Sequence, residues 1–206
     1  KEDDYLLITS DGVTEAGLGL TLSFGLQTAG LVKALKEHVK NHKSAQDLVN
    51  QVIDICMSYY INEPGDDTTA VAVHMRKPRE CALLTGLPVD KSDDAGMVHA
   101  FYTTAGRKII CGGTTAQVFA RETHKEVHTV NNSLTDEVPP ISKIDGIDLV
   151  TEGIITMDYC VRLLEEKRTE NIPKNGASML LEQLLWADKI TIFCGTQVNE
   201  AYEQIK

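Results

Sequence analysis

The chain has 206 residues, 42% of them hydrophobic and 24% charged, with a formal net charge of −10. That length allows one large domain or two small ones, and the composition is that of an ordinary globular protein. The acidic balance argues against a nucleic-acid partner, which selects a basic face. No apolar run reaches the roughly 20 residues that cross a bilayer. Five cysteines (Cys56, Cys81, Cys111, Cys160 and Cys194) stand at wide spacings without a CxxC pair. This argues against a zinc site or a disulfide framework and for a reducing, cytoplasmic setting. Cys56, on an apolar helix face, and Cys194, at the end of an apolar strand, are both expected in the core.

Lys1 rather than Met opens the chain and leads quickly into an apolar run, so a segment of a longer protein is expected. Residues 5–10 (YLLITS) predict a buried strand that enters a turn at Asp11-Gly12. Glycines at 17, 19, 25 and 30 then predict an irregular loop, and an apolar stripe predicts a helix over 31–41. Ser44 and Asp47 form a capping-box pattern ahead of Ala45, Leu48, Val49, Val52, Ile53, Cys56 and Met57, which recur at helical spacing. Asn62-Glu63-Pro64-Gly65 stops that helix, and Asp66-Asp67 leads into a β-branched strand over 68–75. A charged stretch containing Pro78 places a domain boundary near that residue.

In the second half, 97–104 and 107–111 are expected to pair as a hairpin. Helices are expected over 114–122 and 154–166, in the stripe Ala177, Leu180, Leu181, Leu184, Leu185, and over 197–205. Strands are expected at 147–150 and from Lys189 to Cys194. Strand, small-residue turn and helix follow one another three times, an order that implies parallel strands with crossover helices. The fold class expected is therefore α/β, with a first domain over 1–77 and a second over 82–206.

Two acidic turns concentrate the chemistry of the first half. Asp11-Gly12 closes one strand, and Gly65-Asp66-Asp67-Thr68-Thr69 opens another. Carboxylates at strand ends are held stiffly, and a pair of them suits hard cations such as Mg²⁺ or Mn²⁺. Each turn taken alone is as well explained by an ordinary turn or cap.

DDYLLITSDGVTEAG, SFGL, two helices and GDDTTAVAV, in that order over 3–75, resemble the carboxyl-terminal half of the stage II sporulation protein E type phosphatases, within the PPM superfamily of metal-dependent serine/threonine phosphatases. The resemblance implies a partial β-sandwich with helices. It also implies that Asp11 and Asp66 ligate Mn²⁺ or Mg²⁺, with Gly12 in the metal-site turn and Asp67 as a neighbour. The implied reaction is hydrolysis of phosphoserine or phosphothreonine on a regulatory protein, such as an anti-sigma-factor antagonist. A further metal-ligating aspartate lies in the family's earlier half, which has no counterpart here. Either the working enzyme is longer than this chain, or the segment is a scaffold or dimerisation surface. A truncated sheet also suits a homodimer formed by strand exchange.

Gly112-Gly113-Thr114-Thr115 stands where a strand feeds a helix, and Thr151-Glu152-Gly153 and Gly195-Thr196 occupy equivalent places. Backbone N–H groups at such helix starts favour a small anionic ligand, although tight turns need small residues whatever the function. Glu152 suits either a ligand contact or a helix-start carboxylate, and Asn199 either a cap or a contact. Cys111, beside the glycine pair, suits either a thiol activated by the helix terminus or, as the commoner case, a buried and inert one. His99, His124 and His128 show no nucleophile–base partner, which argues against an independent enzyme in this half.

Overall fold

The computed structural model describes residues 1–36, 44–63, 65–130, 138–168 and 172–197. The chain divides into two compact units, Lys1–Lys77 and Pro78–Lys206.

In the first unit, β1 (Tyr5–Thr9) pairs antiparallel with β2 (Ala70–His74), and Thr9 stands opposite Ala70. Among the described residues, three helices lie between them in sequence: α1 (Asp11–Thr14), α2 (Gln27–Leu35) and α3 (Ala45–Tyr59). Gly30 therefore sits inside a helix rather than in the expected loop, and the part of the 31–41 expectation beyond Lys36 lies outside the described residues. α3 begins where its cap predicts: the Ser44 hydroxyl accepts the Asp47 amide at 3.1 Å and donates to the Asp47 carboxylate at 2.8 Å. Leu48, Val52 and Cys56 point from α3 into a core shared with Val13, Leu31 and Leu35, and Tyr5, Leu7, Ala70 and Ala72 close it from the sheet. The other face of the sheet is apolar and open: Leu6 and Ile8 are more than half exposed, and Val71 and Val73 stand beside them. The expectation of a wholly buried first strand is corrected to a half-buried one, because strand side chains alternate between faces and only one face meets helices.

Among the described residues, the second unit is built on six strands in the order β5-β6-β7-β4-β3-β8. β3 (Glu80–Thr85) runs parallel to β4 (Arg107–Cys111) and to β8 (Lys189–Cys194), and β4 runs parallel to β7 (Leu149–Thr151). Two three-residue strands, β5 (His128–Val130) and β6 (Ile141–Lys143), add antiparallel pairs at one end. The sheet is thus mainly parallel, and the α/β class stands. The hairpin expected over 97–111 does not form. Residues 94–103 are α4 (Asp94–Thr103), whose Val98 and Phe101 are buried one helical turn apart, and the chain returns from it to lay β4 parallel to β3.

α4 and α5 (Gly113–Thr123) cover one face over Ala82, Leu84, Ile110 and Val150. α6 (Ile154–Glu165) and α7 (Gly176–Trp186) cover the other over Cys81, Leu83, Ile109 and Leu149. The crossover from β3 to β4 and the crossover from β7 to β8 run in opposite directions along the sheet. A constant hand of connection therefore sends their helices to opposite faces. β8 is the last strand in the sheet order, and Cys194 at its end is exposed, which corrects its expected place in the core. Apart from Gln197, the helix expected over 197–205 lies outside the described residues, as does Asn199.

Candidate functional site

The pairing of β1 with β2 carries both acidic turns to the same end of one sheet, because Asp11 follows the last residue of β1 and Asp66-Asp67 precedes the first of β2. Ser10 joins them. Its amide donates to the Thr69 carbonyl at 3.0 Å, and its hydroxyl donates to the Asp67 carbonyl at 3.1 Å and accepts the Thr69 amide at 2.9 Å.

Gly12 is required by this contact. A methyl group on its Cα would stand 2.5 Å from the Asp67 carbonyl oxygen, inside any allowed approach. The Gly12 carbonyl in turn accepts the hydroxyl of Tyr60 at 2.8 Å. Tyr60 is buried, and burial followed by the nearby Asp66 carboxylate pushes its phenol above the ordinary value, so it remains a neutral donor.

Asp11 and Asp66 are exposed, and each accepts the next residue's amide, at 3.1 and 2.7 Å. Among the described residues, no Lys, Arg or His side chain forms an ion pair with Asp11, Asp66 or Asp67. Uncompensated carboxylates on stiff turns fit a hard cation in kind, since every donor is oxygen. They fit it only partly in number, because the described residues contain no group of three or more His, Cys, Asp or Glu placed to hold a metal ion.

The glycine turns of the second unit gather at one edge of its sheet. The Gly112 amide donates to the Thr151 carbonyl at 3.0 Å, and Thr115, buried, lies 3.4 Å from the Gly86 carbonyl. Gly113 and Thr114 are exposed at the start of α5, which is preceded by Gly112 with φ +128°. Glu152 follows β7, and one of its carboxylate oxygens is buried without a hydrogen-bond partner.

The third turn does not open onto this group. The Gly195 amide donates to the Thr85 carbonyl and the Gln197 amide to the Leu87 carbonyl, both at 2.9 Å. A Cβ on Gly195 would fall 2.1 Å from the Leu87 carbonyl carbon. Backbone thus fills the gap beyond β3 and β8, and the approach to the edge is left to the turns after β4 and β7. Cys111 is wholly buried there, and burial pushes its thiol up to about 11, which makes it inert as a nucleophile. His99, His124 and His128 are all exposed, and His128 faces only Glu126 at 3.4 Å.

Sequence reasoning missed Tyr60. Its position directly after the apolar stripe of α3 was the one signal, and its target lies 48 residues away.

Among the described residues no helix is long and apolar enough to cross a membrane. No curated protein and no solved structure matches the chain. The family model of Stage II sporulation protein E (SpoIIE) matches residues 1–76, a span that takes in both acidic turns and the strands that pair them. Residues 1–76 are thus similar to the SpoIIE family.

Proposed function

We propose that residues 1–77 serve, within an intact bacterial cytoplasmic enzyme, in the metal-dependent hydrolysis of phosphoserine or phosphothreonine on a regulatory protein of the anti-sigma-factor-antagonist kind. The observation that carries this reading is the β1–β2 pairing, which holds the Asp11 and Asp66 turns side by side in a segment that matches the SpoIIE family. Asp11 and Asp66 are the ligands for Mn²⁺ or Mg²⁺. A pair of such cations, when bound, supplies an acidified water as nucleophile and neutralises charge on the phosphoryl group. The chain's own part is to present two carboxylates that no Lys, Arg or His side chain pairs with among the described residues, to clamp their turns together through Ser10, and to keep position 12 free of a side chain. At least one more carboxylate comes from outside the described residues, since they form no three-donor group. The second unit acts as a regulatory domain, and its turns around Gly112, Gly113, Thr114, Thr115 and Glu152 take a small anionic molecule.

The lack of a three-donor group among the described residues favours a second reading, in which residues 1–77 are a scaffold or homodimer surface for a ligand-binding module. Titration calorimetry with Mn²⁺ separates the two. The enzyme reading expects binding by this chain that weakens at least about tenfold in Asp11→Asn and in Asp66→Asn, since each removes a charged ligand. Binding that neither substitution changes would leave only the scaffold reading.

A further inference from the structure

α3 ends in an unusual way. The Tyr60 amide still closes a helical bond to the Cys56 carbonyl at 2.9 Å, and the next two residues, Ile61 and Asn62, both adopt positive φ, +57° and +63°. A β-branched residue in that region is strained, and strain of this kind persists only where the surroundings hold it. The reversal stops the helix at Tyr60 and turns the chain back toward Gly65-Asp66.

The phenol at this helix end is buried and reaches the Gly12 carbonyl at 2.8 Å. Around the same point stand Asp66, which acts on the phenol, and the Thr68 hydroxyl, which would lie 3.2 Å from a Cβ on Gly12. Tyr60 therefore touches the first acidic turn from the helix that leads into the second.

We propose that Tyr60 is the positioning residue of this site: its bond to the Gly12 carbonyl seats the Asp11 turn against the Asp66 turn before any cation arrives. Ser10 ties the two turns along the sheet, and Tyr60 ties them from the core, so the pair is held from two directions. Its consequence for metal affinity rests on the phosphatase reading; the positioning itself does not.

The same helix end supplies its own control. Thr21 donates its hydroxyl to the Tyr59 carbonyl at 2.8 Å, a bond of the same kind that leads to the 17–25 loop instead of the acidic turns.

Amide hydrogen exchange on the whole chain, with Mn²⁺ calorimetry alongside, tests the proposal. In Tyr60→Phe, which keeps the ring, the Ser10, Val13 and Thr69 amides exchange about fivefold faster, the change that one hydrogen bond of about 1 kcal/mol produces. The Val52 and Cys56 amides in α3 keep their wild-type rates, and Mn²⁺ affinity falls by a similar factor. Thr21→Val leaves all three turn amides unchanged. Unchanged turn amides in Tyr60→Phe overturn the proposal, and so does equal acceleration in Thr21→Val, which would mark a general loosening of the helix end. Faster turn amides in a chain whose wild type gives the same Mn²⁺ heats as Asp11→Asn would sustain the positioning role and remove the phosphatase reading.

Discussion

The two sheets use strands of similar composition and treat them differently. β3 and β4 bury nearly every residue between helices on both faces, whereas β1 and β2 bury one face and leave Leu6, Ile8, Val71 and Val73 in the open. An apolar run alone thus does not say how many layers cover a strand. The second unit packs helices on both faces of its central strands, with Phe101 and Phe119 edge to face at 5.8 Å in its core, and leaves apolar side chains open mainly at its margins, such as Ile192 on β8. The first has a core on one side of its sheet and an apolar surface on the other.

Core truncation is expected to show the contrast most strongly. Phe101 is fully buried, and Phe101→Ala should cost about 3–5 kcal/mol, read as denaturant unfolding by the fluorescence of Trp186, the chain's one tryptophan. A loss below about 1 kcal/mol would mean that this core is much looser than its packing.

A medium effect comes from the thiols. Burial raises Cys81, Cys111 and Cys160 in the second unit, the last two to about 11, from a usual value near 9. The unfolded chain then ionises first as pH rises, so the folded state holds more protons and loses stability between about pH 9 and 11. The first unit holds two raised groups, the Cys56 thiol and the Tyr60 phenol, against three thiols in the second, and should weaken less. Unfolding followed at Trp186, set against amide exchange in α3 across that range, measures the difference. Parallel behaviour of the two units would break the comparison.

The smallest effect belongs to the open face. Ile8 is 56% exposed, and Ile8→Thr should change stability by less than about 0.5 kcal/mol by amide exchange in α3. A cost of about 1 kcal/mol or more would show that this face is covered in solution.

What the sequence made legible follows the range of the forces involved. α3 was readable because its cap and stripe are local: Ser44, Asp47 and the buried series Leu48, Val52, Cys56 fall within 13 residues. β8 matched its expected span, Lys189–Cys194, for the same reason. The exposure of Cys194 was not readable, because it depends on strand order, and so on a crossover that sends β8 to the far side of β3. α4 was mistaken for a strand because β-branched and aromatic residues dominate 98–104, while its helical face rests on little more than Val98 and Phe101. β3 went unread because a run as short as ECALLT, apolar on both faces, carries no period. In the candidate site, Asp11 and Asp66 were visible as motif residues. The contacts that place them, Ser10 with Thr69 and Tyr60 with Gly12, span 59 and 48 residues and leave no local pattern.

The double-sided apolarity of β1 and β2 has a consequence for how the first unit folds. Register is normally enforced by hydrophobicity, because a slip of one residue turns the greasy side of a strand to water. Here a slip would exchange Leu7 for Leu6 and Ala72 for Val71, and burial would scarcely object. The correct alignment is left to polar groups at the strand ends, chiefly the Ser10 hydroxyl, which finds both the Thr69 amide and the Asp67 carbonyl only when Thr9 faces Ala70. The contacts that bring the two aspartates together are thus also the ones that tell the strands where to stop sliding.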